Sequence, residues 1–154
     1  MTRYVAVCGA SVANDEEAVR AEEVGRLLAE AGAVVVCGGL GGVMDAVSRG
    51  VKAAGGISVG LLPGDDRTDA SEHLAVALPT GMGEMRNALI VRAADAVIAI
   101  GGEWGTLSEI ALAMRTGKKV VGLDTWELSR PGTDAGDILR AATPEQAVWM
   151  ALEP

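Results

Sequence analysis

Residues 95–116, DAVIAIGGEWGTLSEIALAMRT, read as one strand, one glycine turn and one helix in direct succession. Asp95–Ile100 is a short, almost continuously apolar run, the pattern of a parallel strand covered on both faces. Gly101–Gly102–Glu103–Trp104–Gly105 is too rich in glycine for either regular element and predicts a tight turn. From Thr106 to Thr116 the residues Leu107, Ile110, Ala111 and Met114 recur at helical spacing and form one apolar face.

The same succession appears upstream. Ala33–Cys37 predicts a strand, Gly38–Gly39–Leu40–Gly41–Gly42 a turn, and Val43, Met44, Val47 and Val51 a helix running to about Ala54. Before it, Tyr4–Cys8 reads as a first strand. Asn14 and Glu17 have the spacing of a capping box opening a helix over about Asp15–Glu30, which Gly32 ends. Ile57–Leu62 is a third strand, PGDDRTDASEH from Pro63 a polar loop, and Leu74–Leu78 a short fourth strand. Met82–Ala94 is helical, with Arg86 on its first or second turn. Val120–Leu123 is the last strand expected. Pro131–Gly132 falls in a loop, and Thr143–Pro144–Glu145–Gln146 opens a terminal helix. Alternation of this kind implies βαβ units, hence an α/β, doubly wound, mainly parallel sheet with helices on both faces and one domain over 1–154.

Composition agrees with a chain that buries a full-sized core. Of 154 residues, 49% are hydrophobic and 22% charged, and 21 are glycine, about twice the usual share. No apolar run approaches the ~20 residues that span a bilayer, and MTRYVAVCGAS has no signal-peptide core, so a cytoplasmic protein without membrane contact is expected. Thirteen basic against 21 acidic residues give a net charge of −8. That balance repels phosphate backbones and argues against a nucleic-acid partner. Cys8 and Cys37 end apolar runs and are expected to be buried, reduced thiols. One histidine and no CxxC leave no transition-metal site, and Asp65, Asp66, Asp69 and Glu72 lack calcium-loop spacing; with His73 they are assigned to a solvated loop.

In an open parallel sheet ligands sit beyond the carboxyl ends of the strands, where helices begin with unsatisfied N–H groups. Both glycine turns occupy that edge. Gly38, Gly39, Gly41, Gly42 and Met44 on one turn, and Gly101, Gly102, Gly105 and Thr106 on the other, are therefore candidate phosphate-binding residues. The alternative is a pair of tight turns. Met44 stands where a dinucleotide motif needs its third glycine, and Gly117–Lys118–Lys119 is not a Walker loop, so neither NAD nor an ATPase is supported.

Glu109 admits two readings. With Thr106 it has capping-box spacing, and as a carboxylate at the ligand edge it can steady a cationic transition state. Arg86 near a helix start opposes the macrodipole, which is unexpected unless an anion or a carboxylate faces it. Trp104 either stacks on a ligand ring or packs on a neighbouring element. Ser11 either reaches a ligand or makes a turn.

The stretch MGEMRNALIVRAADAVIAIGGEWGTLSEIALA, residues 82–113, resembles the core of the LONELY GUY (LOG) proteins, often mislabelled lysine decarboxylases, with signature P-G-G-x-G-T-x-x-E and an upstream arginine. Gly38–Met44 resembles that family's other glycine turn. The resemblance implies a Rossmann-like fold, a homodimer or higher homo-oligomer, and hydrolysis of nucleoside 5′-monophosphates to base and ribose 5-phosphate. It assigns catalysis to Arg86 and Glu109 and phosphate binding to Gly102, Gly105 and Thr106. No metal or organic cofactor is implied for that reaction. Three positions depart from the signature: Gly101 replaces its proline, Glu103 its second glycine, and Asn87 the lysine that follows the arginine. In these departures the chain is similar to a compact bacterial branch related to molybdenum cofactor carrier proteins. The implied function is then a carrier for a phosphorylated nucleotide-like or pterin ligand, with molybdenum cofactor as cargo.

Overall fold

The computed structural model describes residues 1–132 and 138–154. Its elements run β1 (Tyr4–Gly9), α1 (Asp15–Glu30), β2 (Val34–Cys37), α2 (Val43–Ala53), β3 (Ile57–Leu62), β4 (Val76–Pro79), a 3-10 turn (Gly83–Met85), α3 (Arg86–Ala93), β5 (Ala96–Ile100), α4 (Trp104–Arg115), β6 (Lys119–Leu123), β7 (Ile138–Arg140) and α5 (Pro144–Leu152). The strands form one sheet in the order β4-β3-β2-β1-β5-β6-β7, and every pairing among them is parallel. This is the Rossmann-like doubly wound α/β fold that the alternation predicts.

Pleating explains how continuously apolar strands serve two cores. On one face Val5, Val7, Val35, Cys37, Ile98 and Ile100 meet the helices α1, α2 and α5. On the other, Ala6, Cys8, Val36, Val97 and Ala99 meet Ile90 and Val91 of α3 and Ile110 and Ala113 of α4. Chain direction reverses its lateral progress between β1 and β5, which are neighbours with Gly9 opposite Ile100. That switch point opens a crevice above the two strand ends, the usual ligand position in such sheets.

Three local expectations change. The fourth strand slides to Val76–Pro79, and its terminal proline is tolerated because β4 is an outer strand. A seventh strand, Ile138–Arg140, pairs with β6 beyond the last strand expected. Helix α4 starts at Trp104, with Glu103 as its N-cap, so Thr106 lies inside the first turn and does not cap it. The capping box of α1 forms as predicted: Glu17 N–H donates to Asn14 Oδ1 at 2.8 Å and Asn14 N–H to Glu17 Oε2 at 3.1 Å.

The pair α1 and α2 crosses without room for side chains at the contact. A methyl group on Gly50 would lie 1.9 Å from the Glu22 carbonyl oxygen, and that backbone cannot yield as a side chain would. Gly50→Ala is therefore expected to destabilise the fold by about 2 kcal/mol, within the usual range for overpacking, as measured by denaturant unfolding.

Candidate functional site

At the switch point lies an open cavity of about 700 Å³, a size suited to a mononucleotide-sized molecule. Its wall takes Gly9, Ala10 and Ser11 from the end of β1, Leu40 and Met44 from the first glycine turn and α2, residues 84–88 from around the start of α3, and residues 103–106, Ser108, Glu109 and Leu112 from α4 and its N-cap.

Arg86 is the first residue of α3 and is 8% exposed. Its Nε donates to the Leu61 carbonyl at 2.9 Å and its Nη1 to Asn87 Oδ1. Gly38 makes room for it, since a methyl group there would lie 2.9 Å from Arg86 Nη2. These acceptors are neutral, and among the described residues Arg86 forms no ion pair. A cation held out of water by neutral oxygens retains most of its desolvation cost, which a bound anion would offset. Asn87, 6% exposed, has both ends of its amide in use. Its Nδ2 donates to Ser108 Oγ at 3.1 Å, and Ser108 Oγ donates to the Gly105 carbonyl at 2.7 Å, so Arg86 is linked to the second glycine turn.

Glu109 sits on the second turn of α4 and is 9% exposed. Burial pushes its carboxyl up to about 7, opposed by a hydrogen bond from the Cys8 thiol and by the Arg86 charge. Near neutral pH it is divided between acid and carboxylate forms, which suits a group that must face an anion or an incipient cation. The Cys8 thiol is itself pushed well up by burial and by Glu109. Cys8 and Cys37 are both buried and unpaired with each other.

The helix starts differ in how they are answered. Side chains cap α1, through Asn14, and α5, through Thr143. No side chain caps α4, whose first residues Trp104, Gly105 and Thr106 line the cavity. Its first-turn N–H groups and partial positive charge are thus available to an anion. At α2 the protein supplies the partner itself: Val43 N–H donates to the Ala10 carbonyl at 3.0 Å. Gly42, with φ of 61°, lets the chains come that close, for a methyl group there would lie 2.2 Å from the same oxygen.

The structure therefore brings Ser11, Met44, Arg86, Asn87, Trp104, Gly105, Thr106 and Glu109 to one cavity wall. It does not bring Gly38, Gly39, Gly41, Gly42, Gly101 or Gly102 there. Gly38 seats Arg86, Gly42 packs on Ala10, and Gly102 packs over the Thr106 side chain. Sequence reasoning missed Cys8 as a partner of Glu109, Ser108 as the link to Gly105, and Glu84 on the wall; Glu103, singled out in the second turn, does line the cavity. Only Ser108, one turn beyond Gly105 on the same helix, offered a local signal.

The loop after β3 stays apart from this chemistry. Ser71 Oγ and His73 Nδ1 lie 2.6 and 3.0 Å from Asp45 Oδ1, and Ser71 N–H donates to the Gly39 carbonyl, so the loop is fastened to α2 and the first glycine turn. Among the described residues no group of three or more His, Cys, Asp and Glu is placed to hold a metal ion, and no helix is long and apolar enough to cross a membrane.

The sequence model of the SLOG cluster4 family matches residues 2–148. An uncharacterized protein of Archaeoglobus fulgidus is 40% identical over 94% of this chain and 91% of its own length. A probable cytokinin riboside 5′-monophosphate phosphoribohydrolase of Oryza sativa subsp. japonica is 36% identical over 70% of this chain and 46% of its own. Among solved structures, the molybdenum cofactor binding protein of Rippkaea orientalis superposes with a TM-score of 0.90 at 33% identity, covering 97% of this chain and 95% of the other.

Proposed function

Because this chain belongs to the SLOG cluster4 family, a LOG-like group of Rossmann folds, we propose that it binds a phosphorylated nucleotide-like or pterin ligand in the cavity above β1 and β5. Its role is that of a carrier similar to the molybdenum cofactor binding proteins, with that cofactor as cargo. The carrying observation is Arg86, a buried guanidinium with only neutral acceptors, beside the uncapped start of α4. A phosphate between them gains charge-assisted hydrogen bonds and the helix-terminal field together. Gly105 and Thr106 supply amides, while Ser11, Met44 and Trp104 enclose the rest of the molecule.

Glu109 favours a second reading, nucleoside 5′-monophosphate phosphoribohydrolase. Cleaving an N-glycosidic bond builds positive charge on the ribose, which the Glu109 carboxylate stabilises while Arg86 holds the phosphate. Incubation with AMP, CMP, GMP and UMP separates the two. The carrier reading expects no free base, together with retention of added molybdenum cofactor and its protection from oxidation. Sustained release of base that Glu109→Ala abolishes would replace it with the hydrolase.

A homodimer belongs to the same reading. Met82, Met85 and Leu89 are 41%, 74% and 39% exposed around α3, an apolar grouping that a second copy would cover. Light scattering is expected to give twice the chain mass; a monomer at tens of micromolar would remove this part of the proposal.

A further inference from the structure

The residues that leave β6 have no part in the reading above, yet they grip the second glycine turn at several points. Gly101 N–H donates to the Leu123 carbonyl at 3.0 Å, and Thr125 Oγ1 donates to the Gly101 carbonyl at 2.5 Å. Trp126 Nε1 donates to the Glu103 carbonyl at 3.2 Å. The Trp126 ring then lies 5.1 Å, centroid to centroid, from that of Trp104, inclined at 36°. Between these contacts Asp124 takes a left-handed backbone, φ 47°, and its carboxylate is bound by Arg20 of α1. Trp126 itself packs on the core beneath α3 and α4. The segment is thus anchored just before the point where it holds Trp104, and at Trp126 itself.

Trp104 opens α4, lines the cavity and is 76% exposed. An indole so open to water has no structural need that a smaller residue would not meet, and its only ring partner among the described residues is Trp126. Trp126 does not line this cavity. Left alone, the Trp104 side chain would rotate among rotamers and would lose that freedom on binding; a ring fixed beforehand avoids most of the loss. Stacking on a fixed indole accepts any flat heterocycle, because each has a π face. It gives nothing to a sugar phosphate without one.

We propose that Trp104 and Trp126 form the element that selects ligands bearing a flat heteroaromatic ring, with Trp104 touching the ring and Trp126 acting as its positioning residue. The inference rests on the anion site at Arg86 and adds the chemistry of the ligand's other end. Purine and pterin rings both qualify, and saturated or ring-free phosphates do not.

AMP and ribose 5-phosphate share the anionic end and differ by the ring, so the ratio of their affinities isolates the aromatic contribution. Calorimetric titration of the intact chain, with each sample checked for free adenine, is expected to favour AMP by about tenfold or more. Trp104→Ala and Trp126→Ala should each bring the ratio close to unity. Trp126→Phe, which keeps a ring against Trp104, should restore most of it, which a merely general loss of packing would not do. An unchanged ratio in Trp126→Ala overturns the proposal, as does equal weakening of both ligands. If Trp126→Ala fails to fold, Trp104→Ala carries the test, and an unchanged ratio there is equally fatal. Loss of self-association in Trp104→Ala with the ratio intact would assign the exposed indole to a contact between copies instead. Wild-type protein that binds both ligands equally refutes this inference alone, whereas wild type that binds neither refutes the anion site on which it rests.

Discussion

Glu109→Gln is expected to stabilise the ligand-free protein by about 3 kcal/mol at about pH 8 and by almost nothing near pH 4. In the unfolded chain this carboxyl titrates at the ordinary value of 4.5; in the fold, burial raises it to about 7. Between those values the folded state holds a proton that the unfolded state has released. Its contribution to stability is therefore complete below pH 4.5 and is lost as the pH rises through 7. At higher pH the folded protein must carry a buried carboxylate, and a difference of about 2.5 units corresponds to roughly 3 kcal/mol. Glutamine keeps the shape and hydrogen-bonding capacity without the charge. For a chain of this size the gain at about pH 8 should raise the melting temperature by roughly 10 °C. Thermal unfolding of wild type and variant across the pH range checks it. A difference between the two curves that stays constant from pH 4 to about pH 8, with no divergence between 4.5 and 7, would show that Glu109 is not the buried, proton-retaining group described.

The same residue shows what a sequence can and cannot disclose. Glu109 was legible as a candidate because it stands near a glycine turn at a strand end. Its two readings were separable only by locating the start of α4. Trp104 and Gly105 look like turn residues, and nothing local shows that a helix begins there. The helix start follows from Glu103 in extended conformation, with its carbonyl gripped by Trp126 from across the sheet edge. Long-range contact overrode the local pattern.

A similar limit applied to the first glycine turn. Its composition predicts a cradle for an oxyanion, yet the amide of Val43 is answered by the carbonyl of Ala10, the residue that follows β1. Four glycines permit close approach, and sequence does not say what approaches. The fold, by contrast, was readable because β1, β2 and β5 are apolar on both faces and α1 carries its own cap. β7 was not, since Ile138–Arg140 is three residues long, lies at the sheet edge and buries little. Arg86 was readable from its conflict with the helix dipole. The Leu61 carbonyl, the Asn87–Ser108 bridge and the Cys8 thiol were not, because each comes from another strand or helix through space.

Arg86→Ala is expected to weaken binding of a phosphorylated ligand by about 100-fold or more, and Arg86→Lys to recover little of that loss. The guanidinium is oriented by two of its nitrogens, Nε on the Leu61 carbonyl and Nη1 on the Asn87 amide, and packed against Gly38. A lysine has one nitrogen at the end of a flexible chain. It cannot satisfy the Leu61 and Asn87 oxygens while also meeting a phosphate, so its charge arrives without the geometry. Asn87→Ala should then reproduce part of the defect although it leaves every charge in place, because Arg86 loses one anchor and the link through Ser108 to the Gly105 carbonyl is broken. Its expected cost is about tenfold, that of one buried hydrogen bond to a charged group. Titration of ribose 5-phosphate into the three variants orders them. If lysine at position 86 binds as tightly as arginine, only the sign of the charge matters and the fork geometry is irrelevant. If Asn87→Ala binds normally, Arg86 does not depend on that bridge for its placement.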